Sequence, residues 1–547
     1  MFDSRRRSFK DIARTVIALG RRIPTLKAVV NDSEYAILSP DKISQEAVKS
    51  AIQTHVDETL ANIPLHLFNT YDGKLYSHAE LRDAFQASTQ YDALLLLTTS
   101  QQILQHTGYI REIVRSYFEY AMLSHRWEGA EPLYADIQVQ SNIYHMTNPS
   151  GITKLQNFCH VARARGFRWA WSDTCCIDKT SSAELQKSIA SMFAWYRHSG
   201  LTIVYLADVS NSSPRALEQS LWFQRGWTLQ ELLAPRIIQF YLANWQPVVE
   251  HHYNHKAVDA VVDILVSATG IDKESLINFV PGVHQARLRI SWAANRRTKE
   301  VEDVAYSLMG IFDLHLPVIY GEKEAAFGRL LTEIIGRSDD ITLLDWVGRA
   351  SSFNSCLPAH PDGFKIPALI PARTRDELTR LDENTARAYY ERARAIFTKT
   401  RPTGPSYTHG KLSLSCIAYK VKTLKAHYDP RLNTPPYRFD IYADGLEPLC
   451  ICTADRLEEI DEHIFSPHTY SLARVCDDET FGDSDNTHDN ARTGLRALAQ
   501  PFVAMLLRQT RGVGSWRRIP TTTSIITSIQ QLQDIQNTPD ITILHIS

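Results

Sequence analysis

Between Tyr120 and Trp245, short apolar segments alternate four times with segments of helical period. The apolar segments are YAMLSHRW, RWAWSDTCCID, LTIVYLADV and RIIQFYLANW. Because each intervening helix would return the chain across a sheet, this alternation predicts an α/β fold: a parallel sheet with helices on both faces. In sheets of this kind, ligands bind beyond the carboxyl ends of the strands.

The remaining sequence divides into regions of different composition around this core. With 547 residues the chain has room for several units. A hairpin with Asp72-Gly73 as its turn is predicted ahead of the alternating segments. The predicted regions are residues 1–62 as a helical leader, 63–249 as the α/β domain with its core at about 118–247, 250–346 as a helical extension, and 347–547 as a C-terminal α+β region rich in strands.

Composition and charge exclude several classes of protein. Apolar residues make up 44% of the chain and charged residues 22%, as in soluble globular proteins. The net charge of -2 gives no overall attraction for nucleic acid, although residues 5–22 are rich in arginine, so we predict no nucleic-acid partner. No segment approaches the roughly 18 apolar residues of a membrane span. Asp3 and Asp11 argue against a mitochondrial transit peptide, and we expect a cytoplasmic protein.

The segment WSDTCCIDK, from Trp171 to Lys179, places two cysteines side by side where the second predicted strand ends. Neighbouring strand residues point to opposite faces, so Cys175 and Cys176 are poorly placed to bind one metal ion. We predict buried, reduced thiols and no metal site. Asp173 should lie at the rim of the sheet, where a cleft would form.

Several common site motifs are absent from the sequence. It contains no GxxxxGK[ST], GxGxxG, HExxH or GxSxG. These absences remove the usual signals for nucleotide hydrolysis by a P-loop, for Rossmann cofactors, for zinc proteases and for serine hydrolases. No resident cofactor is therefore predicted.

A polar group follows the first predicted strand. Ser124, His125 and Arg126 offer a hydroxyl, an imidazole and a guanidinium, and a guanidinium suits phosphate oxygens. The alternative is a structural turn in which Arg126 pairs with Glu128 or Glu131. The residues themselves leave these two interpretations open.

The segment RGWTLQELLAPR contains Trp227 and Glu231 four residues apart, which puts them on one face of a helix. An indole wall beside a carboxylate can hold a ribose or a nicotinamide, while the carboxylate faces a developing positive charge. A second pair with this spacing is Trp127 and Glu131. The alternative for Trp227 is a core aromatic, and for Glu231 a helix-surface acid paired with Arg225 or Arg236.

Taken together, YAMLSHRW, GFRWAWSDTCCIDK, SSAELQKSIASMFAWYRHS, TIVYLADV and SLWFQRGWTLQELLAPR occur in an order that resembles the fungal heterokaryon-incompatibility (HET) domain. The resemblance extends over about residues 65–345, and the segments on either side of the motifs resemble those of HET proteins from mushroom-forming fungi. The family mediates non-self recognition and programmed cell death, and its core is distantly similar to Toll/interleukin-1 receptor (TIR) domains. The resemblance thus implies a TIR-like, flavodoxin-like sheet within the HET domain at 63–249.

Some TIR domains cleave the nicotinamide–ribose bond of NAD+, using a glutamate in a stretch that resembles WTLQEL. The resemblance implies that Glu231 is catalytic and that NAD+ is a substrate rather than a cofactor. The implied substrate-binding residues are Ser124, His125, Arg126, Trp127, Asp173 and Trp227.

Two functional hypotheses follow. In the first, the protein is a death effector that consumes NAD+. In the second, it is a non-catalytic signalling module that self-associates, and Trp222, Arg225 and Trp227 serve packing or an interface. Self-association is expected, and an incompatibility partner protein is a further expectation.

Overall fold

The structure is a computed structural model that describes residues 45–97, 107–338, 340–366, 383–399, 404–427, 435–461, 466–475, 498–510 and 514–547. The arginine-rich segment at 5–22 and most of the predicted leader lie outside these residues. The chain forms two compact units: unit 1 is Met1–Val280 and unit 2 is Pro281–Ser547. In the described residues, no helix has both the length and the apolar character that crossing a membrane requires.

Unit 1 is built on a six-stranded sheet with the order β2-β1-β4-β3-β5-β6. Strands β3 to β6 are parallel, as the alternating segments predict, while β1 runs antiparallel to both β4 and β2. The β1–β2 pair is the predicted hairpin, and Gly73 in its turn has a φ of 68°, which favours glycine. The strands are His66–Asn69 (β1), Leu75–Ser77 (β2), Tyr120–His125 (β3), Trp169–Trp171 (β4), Leu201–Leu206 (β5) and Ile238–Leu242 (β6).

Helices connect the parallel strands and flank the sheet. Their bounds are Gln45–Ala61 (α1), His78–Gln86 (α2), Thr89–Leu97 (α3), Thr107–Tyr117 (α4), Tyr134–Gln140 (α5), Ile152–Ala164 (α6), Ser182–His198 (α7), Pro214–Glu218 (α8), Thr228–Leu233 (α9), Asp259–Thr269 (α10) and Lys273–Ile277 (α11). Helix α7 is capped at its start, because the Ser181 hydroxyl accepts a hydrogen bond from the backbone amide of Glu184.

The order of the parallel strands determines where helices can pack. The first parallel strand, β3, lies between the second, β4, and the third, β5. The crossover from β3 to β4 therefore runs in the opposite direction to the crossover from β4 to β5. Since such crossovers are right-handed, their helices lie on opposite faces of the sheet. Every residue of β3 and of β6 is buried, as continuous apolar strands covered on both faces should be.

The second predicted strand is shorter than expected. Strand β4 ends at Trp171, and the following residues form a turn in which the backbone amide of Cys176 donates to the Ser172 carbonyl at 2.9 Å. The Ser172 and Thr174 hydroxyls bond each other at 3.0 Å and stabilise that turn. Cys175 and Cys176 therefore lie in the turn, both buried, and the prediction that they alternate along a strand was wrong.

The segment SLWFQRGWTLQELL forms two separate pieces rather than one continuous helix. A 3-10 turn spans Leu221–Gln224, Arg225 is extended, and α9 begins at Thr228. The Thr228 hydroxyl lies 2.6 Å from the Trp222 carbonyl oxygen and 2.8 Å from that of Arg225. These side-chain bonds satisfy carbonyls that a continuous helix would otherwise pair, which is why the break is stable.

Unit 2 combines helices with a nine-stranded sheet, and the predicted β-rich C-terminal region is confirmed. The sheet has the order β10-β9-β8-β11-β12-β13, with β7 and β15 pairing with β8 and β14 with β12, and all its pairs are antiparallel. Its strands are Ser406–Thr408 (β7), Lys411–Ala426 (β8), Tyr437–Ala443 (β9), Leu449–Thr453 (β10), His468–Val475 (β11), Phe502–Thr510 (β12), Arg517–Arg518 (β13), Ile525–Thr527 (β14) and Ile541–Ile546 (β15). Its helices include Ala286–Ser291 (α12), Asp303–Met309 (α13), Ala325–Ile335 (α14) and Glu383–Lys399 (α15).

Candidate functional site

A buried hydrogen-bonded chain joins the carboxyl end of β3 to helix α9. The Ser124 hydroxyl donates to the Glu231 carboxylate at 2.5 Å, and the Trp222 indole N–H donates to the Ser124 oxygen at 3.0 Å. Ser124 is fully buried, Trp222 is 1% exposed and Glu231 is 4% exposed. The structure thus brings together two of the predicted site residues, Ser124 and Glu231, and adds Trp222.

Strand order explains why this chain forms where it does. Ser124 is the penultimate residue of the central strand β3, and α9 packs against that strand. The crossovers diverge between β3 and β5, and in doubly wound sheets the crevice at such a point is where ligands bind. Glu231 therefore approaches the sheet at the position where this topology favours a binding site.

A second group of polar side chains lies beside the first, at the ends of β3 and β4. A His125 ring nitrogen, Nε2, is 3.2 Å from an Asp173 carboxylate oxygen, and the Trp127 indole N–H donates to the other oxygen at 2.9 Å. Arg225 donates to the His125 backbone carbonyl at 2.8 Å, and its guanidinium is 3.8 Å from the Asp173 carboxylate. Because His125 directly follows Ser124 in β3, the two groups adjoin along the same strand.

Two cations lie against the ring of Trp127. The Lys179 ammonium is 3.8 Å from the ring centre, and the central carbon of the Arg225 guanidinium is 5.1 Å from it. Both distances fall in the range of cation–π attraction. The Lys179 nitrogen is buried and has no hydrogen-bond partner in the described part of the chain, and burial lowers its pKa. Trp127 is 37% exposed and covers this ammonium on one side.

Burial sets the charge states of His125 and Asp173. Burial lowers the pKa of the His125 imidazole, and the hydrogen bond to Asp173 opposes that shift only in part, so the ring is neutral at pH 7. Burial raises the pKa of Asp173, but the His125 hydrogen bond and the charges of Arg225 and Lys179 outweigh it and hold the pKa well below its usual range. The pair is therefore a neutral imidazole beside a carboxylate.

The loop after β3 holds Arg126 in a half-buried position. The alternative in which Arg126 pairs with Glu131 does not describe this loop, because the Glu131 carboxylate pairs with the Lys154 ammonium and accepts from the Glu128 amide at 2.8 Å. Lys154 also donates to the Arg126 backbone carbonyl at 3.3 Å. The Arg126 guanidinium makes no ion pair with Glu128 or with any other carboxylate that the structure describes.

Trp227 lies at the start of α9, where its carbonyl accepts a long hydrogen bond of 3.4 Å from the Glu231 amide. Its side chain is half-buried. The predicted spacing of four residues is therefore present in the backbone. The indole that contacts Ser124 is nonetheless that of Trp222, because the break at Arg225 turns the chain between the two tryptophans.

Reasoning from the sequence assigned no role to Lys179 and gave Trp222 only a packing or interface role. It considered Arg225 for packing, for an interface or as a partner of Glu231. Trp222 lies in the 3-10 turn and Arg225 in the extended break before α9, so no continuous helical spacing relates them to Glu231. Lys179 is the last residue of WSDTCCIDK, and its place after a predicted strand end was a signal that it could belong to the site. Nothing in the sequence connects Lys179 with Trp127. Within the described residues, no group of three or more histidine, cysteine, aspartate or glutamate side chains could hold a metal ion.

Comparison with known proteins agrees with the motifs. The family model for the heterokaryon incompatibility protein (HET) matches residues 120–219. The vegetative incompatibility protein HET-E-1 of Podospora anserina is 38% identical over 232 residues, which cover 40% of this chain and 16% of that protein. No solved structure matches the chain. The chain is therefore a protein that carries a fungal heterokaryon-incompatibility (HET) domain.

Proposed function

We propose that this protein acts in vegetative incompatibility, the non-self recognition that ends in programmed cell death, and that its HET domain acts by cleaving NAD+. The relative from Podospora anserina, named a vegetative incompatibility protein, supports the biological role. The hydrogen bond of 2.5 Å between Ser124 and Glu231 carries the chemical part of the proposal. The order of the parallel strands, which is that of the first four strands in flavodoxin-like sheets, supports a TIR-like core.

Cleavage of NAD+ breaks the bond between the ribose C1′ and the nicotinamide nitrogen. The electron pair of that bond neutralises the positive charge of the nicotinamide ring, so the leaving group needs no proton. Positive charge develops at C1′, and a carboxylate stabilises it. Water then adds to C1′ and releases a proton, which gives ADP-ribose and nicotinamide. In this mechanism one carboxylate suffices, and Glu231 is the residue for that role.

The neighbouring side chains supply binding groups for the rest of the dinucleotide. Arg126 has no carboxylate partner among the described residues and suits a phosphate oxygen. The exposed face of Trp127 suits a planar ring. Ser124 holds the Glu231 carboxylate in one orientation. His125 and Asp173 orient Trp127 and Arg225 through their hydrogen bonds and charge.

Release of nicotinamide from NAD+ by the purified full chain tests the enzymatic proposal. Glu231→Gln keeps an oxygen that accepts from Ser124 but removes the negative charge, so we expect nicotinamide release to fall by at least about a hundredfold, as when one charge-stabilising group is removed from an active site. Glu250→Gln is the matched control, because Glu250 is exposed and its ion pair is with exposed His251. Equal nicotinamide release by the wild type and Glu231→Gln would exclude Glu231 as the catalyst.

The burial of Glu231 favours a second function, that of a non-catalytic signalling module. A carboxylate that is 4% exposed and bonded to a serine can serve as an internal brace between β3 and α9. This hypothesis expects Glu231→Gln to remain toxic in hyphae, because the brace is retained. It also expects a charge at an exposed apolar position, such as Val139→Asp in α5, to abolish toxicity by blocking assembly. Loss of toxicity in Glu231→Gln alone would favour the enzyme.

A further inference from the structure

Unit 2 contains a cavity of about 530 Å³ whose wall is rich in basic side chains. Arg297, Arg349 and Lys365 line it, together with His360 and a single acidic side chain, Asp362. The volume lies within the range of roughly 300–1,000 Å³ that small-molecule sites occupy. The cavity is separate in sequence from every residue of the Ser124–Glu231 site.

Backbone hydrogen bonds hold the wall of this cavity together. The Val347 amide donates to the Gly363 carbonyl at 3.1 Å, and the Gly348 amide donates to the Thr521 carbonyl at 2.8 Å. Gly348 has a φ of 98°, a backbone conformation that residues other than glycine rarely adopt. Segments distant in sequence are thus joined by their main chains, and the cavity is formed before any ligand enters.

Two of the charged groups in the wall have a nearby partner. The Arg349 guanidinium pairs with the Glu324 carboxylate. The Asp362 carboxylate is 3.4 Å from the His360 ring, which lowers the pKa of Asp362, and Lys365 and Arg297 lower it further. Asp362 is therefore a charged carboxylate near two additional cations.

In the described part of the chain, neither of those two cations forms an ion pair within 4.0 Å. Among the described residues, the Lys365 ammonium forms no ion pair, and the Arg297 guanidinium donates only to the neighbouring Arg296 carbonyl at 3.1 Å. Both side chains are exposed, so leaving them unpaired carries little penalty in water. The cavity consequently presents two charges that an anion could neutralise.

We infer that this cavity binds a small organic molecule carrying two linked phosphate groups, of the class of a nucleoside diphosphate. Arg297 and Lys365 face the phosphates, since guanidinium and ammonium groups are the usual phosphate ligands. Val347 and Ala359 provide apolar wall for the organic part. The inference does not depend on the proposed cleavage of NAD+, because none of these residues belongs to that site.

Calorimetric titration of the full chain with ADP, AMP and inorganic pyrophosphate tests this inference. We expect ADP to bind more tightly than either AMP or pyrophosphate. The double variant Arg297→Ala/Lys365→Ala should bind ADP at least about tenfold more weakly, because it loses two charge-assisted contacts. Lys411→Ala/Lys420→Ala removes two exposed cations of β8 outside the cavity and should leave ADP affinity unchanged.

A second variant separates the cavity from general charge attraction. Thr522 is exposed and lines the cavity, so Thr522→Trp fills it without changing any charge and should abolish ADP binding. The inference is overturned if ADP does not bind or if Thr522→Trp binds ADP like the wild type. It is also overturned if Arg297→Ala/Lys365→Ala and Lys411→Ala/Lys420→Ala lower the affinity for ADP equally. Pyrophosphate binding as tightly as ADP would overturn the assignment of an organic ligand. Glu231→Gln should bind ADP at this cavity like the wild type, whatever its activity on NAD+.

Discussion

Replacing Ser124 by alanine should destabilise unit 1 by about 2.5 kcal/mol or more, because one hydroxyl serves two buried groups. The Trp222 indole N–H donates to Ser124, and Ser124 donates to Glu231. A buried N–H left without a partner costs roughly 1–3 kcal/mol, and a hydrogen bond to a charged group contributes roughly 1.5–3 kcal/mol. The lower ends of these two ranges give the stated minimum.

The assay is urea unfolding of the full chain combined with hydrogen exchange of peptides from β3 and α9. The exchange data assign the lost free energy to unit 1, since the chain has two units. Ser124→Ala, Glu231→Ala and the double variant form a thermodynamic cycle, for which we expect a coupling free energy of about 1.5–3 kcal/mol. Glu231→Gln keeps an acceptor for Ser124, so it should lower the free energy of unfolding by less than half as much as Ser124→Ala.

Two results would refute this reasoning. A loss below about 1 kcal/mol in Ser124→Ala would mean that the hydroxyl does not satisfy both partners. A coupling free energy within about 0.5 kcal/mol of zero would mean that Ser124 and Glu231 do not contact each other. Either result would also remove the observation on which the proposed role of Glu231 depends.

Two further predictions concern buried Lys256 and the tightly packed Gly200. Burial lowers the pKa of Lys256 to about 7, so between pH 7 and about 10.5 the unfolded chain binds more protons, and the free energy of unfolding of unit 1 rises with pH by at most about 1.4 kcal/mol per pH unit. Urea unfolding at several pH values should show this slope in the wild type and in the exposed control Lys187→Met, but not in Lys256→Met. An equal slope in Lys256→Met would contradict the prediction. Gly200→Ala should lower the free energy of unfolding by roughly 1–3 kcal/mol, because the added methyl would clash with the Phe167 ring and come within 2.6 Å of Glu119 Cγ. The control Gly108→Ala, at a position in helix α4 with open space around it, should be neutral or stabilising. Equal losses in the two variants would argue against the packing around Gly200.

Local patterns predicted the elements of unit 1 well where one physical requirement dominates. Continuous apolar runs gave β5 and β6, because strands covered on both faces cannot carry alternating polar residues. Ser181 is a local signal of the same kind at the start of α7, because its hydroxyl accepts from a free amide of the first turn. The pattern failed after Trp171, where short polar side chains bond to each other and end the strand early.

For the candidate site, the sequence supplied the residue types and the family resemblance brought Ser124 and Glu231 into one hypothesis. Their contact spans 107 positions in the chain and that of Trp222 with Ser124 spans 98. Periodicity reaches only a few residues along the chain, so it could relate Trp227 to Glu231 but could not select Trp222 as the indole that bonds Ser124.

The sequence by itself determined that this chain would form a parallel sheet with polar residues at strand ends, because burial and capping are requirements that neighbouring residues satisfy locally. Only the tertiary structure decided that β3 lies between β4 and β5. It also decided that the helix is interrupted at Arg225, so that Arg225 and Trp222 contact the carboxyl end of β3. The physical reason is that contacts between distant segments depend on strand order and on where a helix is interrupted. Both are set by packing over the whole unit rather than by any single stretch of sequence.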